Sequence, residues 1–238
     1  MSDLRDQTQS AHSTTLVRSS ASLFMQHVYL WMTVGLAVTA IAAYFASTSP
    51  AVKSFFHGSF ISKIFLCVAL LGLVIFLNRS IHRLSSAQAT GFFLLYAALN
   101  DILLGPTVLY YGKASVVQAF IISAGMFGAL SLYGTITKKD LSPWGSFLYM
   151  GLIGLILAMF ANMFIGSSQM DMIINVIGVI VFAGLTAYDT QKLRAMGDDA
   201  PLDDTTAIRR GAIMGALTLY LDFINLFLFL LRIFASRD

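Results

Sequence analysis

Between Ala216 and Arg232 the chain reads ALTLYLDFINLFLFLLR, a stretch apolar enough for a bilayer that carries one acid, Asp222, near its middle. A charged side chain at mid-bilayer costs roughly 2.5 to 3.5 kcal/mol on insertion scales, so this acid needs a partner inside a helix bundle. At heptad spacing Gly211, Gly215, Thr218, Asp222, Asn225, Phe229 and Arg232 share one stripe, and Leu219, Leu221, Ile224, Leu228 and Leu231 fall off it. Lipid has no use for a small, polar stripe. The helix is therefore expected to turn that face towards other helices or a wet cavity, with Gly211 and Gly215 allowing close packing.

The rest of the chain is of the same kind. It is 57% hydrophobic and only 11% charged, against about 25% in a soluble domain, which makes it a polytopic, all-helical membrane protein. The net charge of +3 does not indicate nucleic acid, because Lys and Arg gather in short segments between apolar runs, as topology requires. No Glu occurs, so every acid is an Asp, and the single Cys67 can form no internal disulfide.

Residues 1–21, rich in Ser, Thr and Gln, lack an apolar period and are expected to form a mobile polar cytoplasmic tail. Residues 22–238 then form one transmembrane domain. Its spans are expected at Leu23 to Ala46, Ile61 to Leu77, Ala87 to Tyr111, Ala114 to Ile136, Phe147 to Ile165, Met172 to Met196 and the last helix. The first run is too long for a signal-peptide core and reads as a retained span. Polar residues punctuate these runs: Arg79 follows the second, Asn100 and Asp101 lie within the third ahead of a kink at Pro106, and Asn162 lies within the fifth. Ala124 and Gly128 give the fourth a small-xxx-small spacing, and Asp189 follows Tyr188 in the sixth. With the N-terminus in the cytoplasm, ten of the 15 Lys and Arg residues fall on the inner side, which favours N-terminus in and C-terminus out. Arg79 and Asp189 then lie towards the cytoplasmic ends of their helices, and Asp222 is about 15 Å from that side.

Two carboxyls brought together in a low-dielectric site cannot both ionise cheaply, so Asp189 and Asp222 would share a proton over some range of pH. Arg79 would favour the ionised form and offer a bidentate partner, and breaking that contact could open a path. The ionised oxygens suit a hard cation such as Ca²⁺, but two carboxylates fall short of the six to eight oxygens of a tight site, leaving weak, transient coordination. For Asp189 the bland alternative is an acid in a last turn that reaches interfacial water. Asp101 has three open roles: lining the same cavity, pairing with Lys63, or capping backbone near the kink. Thr218 and Asn225 are further candidates for lining the path.

GLTAYDTQKL, from Gly184 to Leu193, followed by ALTLYLDFINLFLFLLR, resembles the Bax inhibitor-1 family, and AGMFGALSLYGTITKKDLS, from Ala124 to Ser142, is similar to its bacterial inner-membrane branch. The resemblance runs from about Phe24 to Phe234. It implies a seven-helix bundle with the seventh helix central and ringed by the other six. It also implies a paired aspartate matching Asp189 and Asp222 as pH sensor, and an Arg matching Arg79 as latch. Bacterial members are associated with a pH-sensitive Ca²⁺ leak, eukaryotic ones with suppression of cell death, and one bacterial branch with modulation of a membrane-bound quality-control protease. Asn100 and Asp101 depart from the small or hydroxyl residues usual there, which bears on ion preference.

Tyr188 and Asp189 also fit the first motif of intramembrane aspartyl proteases, but Asp222 stands in LYLDF where those enzymes need GxGD, and no Pro-Ala-Leu triplet occurs. A retinal protein would need a Lys deep in the last helix, and none is present. The expectation is a non-enzymatic, cofactor-free, pH-gated cation pathway, most naturally for Ca²⁺, in a bacterial inner membrane, with the lipid bilayer as its constant partner. The alternative is a non-conducting interaction protein whose tail, or the connection Gly197 to Arg210, engages a membrane partner such as a protease.

Overall fold

A computed structural model describes residues 2–49, 60–80, 83–199 and 205–234, without the side chains of 2–20, 46, 47, 60–64, 67, 71, 78, 101–110, 113 and 205–207. The described residues form seven helices: α1 (Ser2–Thr48), α2 (Phe60–Ser80), α3 (Ser86–Tyr110), α4 (Lys113–Ile136), α5 (Ser142–Ile165), α6 (Ser168–Asp198) and α7 (Thr205–Phe234), and no strand. Helices follow from the medium, since a chain in hydrocarbon must satisfy every backbone N–H and C=O internally. Five of the described stretches are long and apolar enough to cross a membrane: Ala21–Phe45, Ala114–Ile136, Ser142–Ile165, Ser168–Asp198 and Ile208–Phe234. The expectation of seven spans is thus met at the level of helices, whereas α2 contributes only the shorter apolar stretch Val68–Leu77. The polar segment expected to be a mobile tail continues α1 as helix back to Ser2. A helix already nucleated by an apolar span extends through Ser, Thr and Gln at little cost per residue. The kink expected at Pro106 does not break α3, which continues as helix to Tyr110; the side chains of Lys63, Cys67 and Asp101 lie outside the described residues, as does most of the connection between α6 and α7.

Local chemistry sets the helix ends. Ser85 and Gln88 form a reciprocal capping box at the start of α3: the Ser85 N–H donates to Gln88 Oε1 at 2.9 Å and the Gln88 N–H to Ser85 Oγ at 3.2 Å. Pro143 sits in the first turn of α5, where its missing N–H is no loss, and Gly166 closes that helix at φ 69°, a left-handed conformation suited to glycine. Ser167 then caps α6 by accepting from the Met170 N–H. In the loop before α5, the N–H of Ser142 donates to Asp140 Oδ1 at 2.9 Å, and hydrogen bonding from the Ser142 hydroxyl, and then from this N–H, holds the exposed Asp140 carboxyl below its ordinary range.

The last helix is the core. Of its apolar stretch 72% is buried, against 17% to 44% in the other four, and it packs against α1, α3, α4 and α6. Among the described residues four helices make the main contacts with α7, while α2 packs chiefly on α3 and α5 on α6. Fully buried Tyr220 meets Phe93 and Tyr96 edge-on, while on α5 Phe147, Met150, Ile153, Leu157, Phe160 and Phe164 are exposed, as a lipid-facing surface requires.

Glycines mark the close approaches. A Cβ on Gly215 would lie 2.8 Å from Leu193 and 3.0 Å from Val28, so the Gly211 and Gly215 pair does pack closely. Ala124 and Gly128 instead face outward, and α4 turns Ser123, Phe127, Ser131 and Gly134 inward. At Gly134 a Cβ would collide with the Ala187 carbonyl, a backbone atom that cannot swing aside. Gly134→Ala should therefore destabilise the protein. Overpacking costs about 1 to 3 kcal/mol, and the helix-propensity gain of about 1 kcal/mol does not offset it. Gly154→Ala, in open space on α5, should be neutral or slightly stabilising, and detergent-unfolding titrations of the two variants would show the contrast.

Candidate functional site

The segment Tyr188 to Arg194 of α6 gives each of its side chains a different neighbour. Tyr188 lays its ring against Gly145 of α5, where a Cβ would lie 2.5 Å from it, and meets Tyr149 edge-on at 6.3 Å. Thr190 faces α4, Leu193 packs on Gly215 of α7, and Arg194 Nη1 donates to the Thr135 carbonyl. Gln191 clamps the loop between α4 and α5, accepting from the Leu141 N–H and donating to the Lys139 carbonyl, both at 2.8 Å. Exposed Lys192 places its ammonium 6.0 Å from the centre of the Tyr188 ring.

In the middle of this segment Asp189 points at α7. Asp189 and Asp222 are 3% and 4% exposed, and their carboxyls lie within reach of a hydrogen bond to each other. Neither carboxylate can donate, so this bond exists only while one of the two carries a proton. Tyr149 Oη donates to Asp189 Oδ1 at 3.4 Å, while buried Asp222 Oδ2 has no partner. A second charge on the pair would face an apolar interior, offset by the Lys192 ammonium acting on Asp189 and by one weak phenol bond, while Asp222 has neither, so a shared proton is what its side of the pair accommodates.

Beside the pair runs a chain of hydroxyls with a fixed direction. The Thr190 hydroxyl donates its only proton to the Thr186 carbonyl at 2.7 Å, so the 2.9 Å bond from Ser131 must be donated by Ser131. The 2.7 Å bond between Tyr29 and Ser131 is then donated by Tyr29. The chain Tyr29, Ser131, Thr190, Thr186 ties α1, α4 and α6 together at the level of Asp189.

The other expected residues stand apart from the pair. Arg79 is exposed in the last turn of α2, a helix that packs on α3, and forms no ion pair among the described residues. Thr218 and Asn225 are half-buried and donate to the carbonyls of Met214 and Leu221 one turn back. Asn100 reaches the Tyr220 hydroxyl at 3.5 Å, and that hydroxyl also bonds Thr39 at 2.7 Å. Among the described residues no third His, Cys, Asp or Glu joins Asp189 and Asp222, so the pair can offer a cation two carboxylates and no more. Tyr149 and Ser131 were not legible as site residues. Tyr149 lies in an apolar run where an aromatic reads as lipid-facing, and Ser131 is one small residue among many in α4.

Thr190→Val should destabilise the protein by about 1 kcal/mol, because it removes the acceptor of the buried Ser131 hydroxyl without opening a cavity. An SDS-unfolding titration would detect it, and Thr33→Val, whose hydroxyl bonds only to the Tyr29 carbonyl within its own helix, is the matched control.

The sequence profile described as "Inhibitor of apoptosis-promoting Bax1" matches residues 21–238. The inner membrane protein YbhL of Escherichia coli (strain K12) is 48% identical over 227 residues, covering 94% of this chain and 97% of the relative. A protein of Deinococcus radiodurans is 43% identical over 215 residues, covering 90% and 91%, and one of Rickettsia prowazekii 38% identical over 216 residues, covering 90% and 89%. With a buried carboxyl pair joining its last two helices and a profile match over nearly its whole length, this chain belongs to the Bax inhibitor-1 family of membrane proteins.

Proposed function

We propose that this protein is a pH-gated cation pathway, conducting Ca²⁺ as a leak, in which Asp189 and Asp222 serve as both sensor and weak ion site. The observation that carries the reading is the buried carboxyl pair, able to bond only through a shared proton and located where the two most buried spans meet. Loss of that proton leaves two like charges in an apolar interior, which pushes α6 from α7 and exposes oxygens that suit a hard cation. Arg79 acts as the latch. It is exposed and unpaired among the described residues while the acids hold each other, as a latch would be while disengaged. The pair works as a switch, and no reaction or cofactor is involved.

All seven helices, including the less apolar α2 and α3, are taken to span the membrane, with the N-terminus inside and the C-terminus outside. The inner-membrane relative from Escherichia coli supports placing the chain in a bacterial inner membrane.

The test is Ca²⁺ entry into liposomes containing the purified protein, at several pH values. Wild-type leak should change across the range in which the pair gains or loses its proton. Asp222→Asn and Asp189→Asn should flatten that dependence, because an amide supplies a permanent donor to the remaining carboxylate and cannot titrate. A wild-type leak no greater than that of empty liposomes would overturn the channel reading and return attention to the tail and the Gly197 to Arg210 connection as interaction surfaces.

A further inference from the structure

A single proton shared by Asp189 and Asp222 has two possible places, and they are not equivalent. With the proton on Asp222 the negative charge falls on Asp189, and with the proton on Asp189 it falls on Asp222. The surroundings of each carboxyl decide between them.

Asp189 has neighbours that suit an anion. Tyr149 of α5 donates its phenol proton to Oδ1 at 3.4 Å. Lys192 stands three residues further along α6, a spacing that puts side chains about 5 to 6 Å apart at Cβ and within reach of a four-carbon stem. A lysine near the end of a span commonly snorkels outward. This one lies back over the residue one turn before it, with its ammonium 6.0 Å from the centre of the Tyr188 ring, and that ring meets Tyr149 edge-on at 6.3 Å. Asp189, Tyr149, Tyr188 and Lys192 thus form one group between α5 and α6, with Lys192 at its exposed rim.

Asp222 has no such company. Its Oδ2 is buried without a hydrogen-bond partner. On its own helix Arg209 and Arg210 lie at least twelve residues, or about 18 Å, before it, and Arg209 is held over the Trp31 ring of α1 at 5.7 Å. The other ionisable groups around α6 are engaged elsewhere. Tyr29 of α1 donates to Ser131, exposed His27 of α1 has Nδ1 on the Leu23 carbonyl, and Arg194 turns to the Thr135 carbonyl of α4. From Ala114 to Ile136 α4 itself carries no charged residue. An anion on Asp222 would therefore meet neither a cation nor a donor other than Asp189.

We propose that Asp222 holds the shared proton while Asp189 carries the charge, and that Lys192 and Tyr149 are the positioning residues that fix this order. The inference rests on the pair being a proton switch. It does not need the switch to gate conduction, and its test is read on the carboxyls rather than on ion flow.

The experiment is carbon-13 NMR of the full-length protein, labelled at the aspartate side-chain carboxyls and held in lipid nanodiscs, over a range of pH. The two signals are assigned by their loss in Asp189→Asn and Asp222→Asn. The wild type should show a pH range in which Asp189 gives the shift of a carboxylate and Asp222 that of a carboxylic acid. Lys192→Gln should move the ionisation of Asp189 to higher pH by about half a unit or more, because an ionised acid loses a nearby cation. Tyr149→Phe should move it the same way, and Lys192→Arg should keep it near the wild type. Lys139→Gln removes an equally exposed cation whose bond to Gln191 uses only its backbone carbonyl, and should leave the titration in place. The proposal is overturned if Asp189 is the acid that keeps its proton, if the two signals titrate together, or if Lys139→Gln shifts the titration as much as Lys192→Gln. The expected order of the two acids in a protein that does not leak Ca²⁺ would uphold the proposal and remove the channel reading alone.

Discussion

A carboxyl facing another carboxyl in an apolar interior is bonded only while a proton lies between them, and one such pair lies within the contact of α6 with α7. Elsewhere the two helices meet through groups indifferent to pH. Phe229 packs on Gly178 and stacks on Phe182 at 5.8 Å, and Leu193 packs on Gly215. The carboxyl pair lies between these two contacts, so one titratable bond interrupts an otherwise permanent seam. Because α7 is the most buried helix, any change at that bond is felt by α1, α3 and α4 as well.

The sequence around Asp189 explains why a change there would not stay local. Tyr188, Thr190, Gln191 and Arg194 reach α5, α4, the α4 to α5 loop and the end of α4 in turn. A helix presents successive side chains about 100° apart, so consecutive polar residues necessarily address different neighbours. In a lipid-facing helix such a run would be a liability. On α6 it is the means by which one helix fastens several others.

Much of this was legible in the sequence, for reasons that also mark where legibility stops. Apolar runs specify helices because hydrocarbon leaves the backbone no alternative, and Asp222 among Gly211, Gly215 and Thr218 marked the last helix as interior because lipid rejects such a combination. The partner of Asp222 was less legible: Asp189 could be placed near it by topology and matched to it by the family resemblance, but an acid in a last turn reaching interfacial water stayed open. The inward face of α4 was not. Ala124 and Gly128 have the spacing of a packing motif, but so do Ser123, Phe127, Ser131 and Gly134, and only the position of the Ala187 carbonyl decides which face is used. Arg79 is a different case: its position at the end of α2 was readable, but α2 packs chiefly on α3, a relation that no periodicity within either helix encodes.

The two ends of the α6 to α7 seam differ in what can open them. Towards the start of α6 the seam is aromatic and glycine, held by dispersion and burial, and neither responds to protons. Towards the end of α6 it includes the carboxyl pair, and the neighbouring hydroxyl chain from Tyr29 to Thr186 fixes α6 to α1 and α4 rather than to α7. If the pair lost its proton, the end of α6 would be pushed from α7 while still fastened to α4, and the aromatic end would stay closed. The motion that this geometry favours is therefore a wedge opening from the aspartate end, hinged near Gly178 and Phe229, rather than a parallel separation. On the proposed gating such a wedge would part the carboxyl pair and Leu193 from Gly215 while leaving the aromatic end closed, a smaller set of contacts than a parallel separation would break.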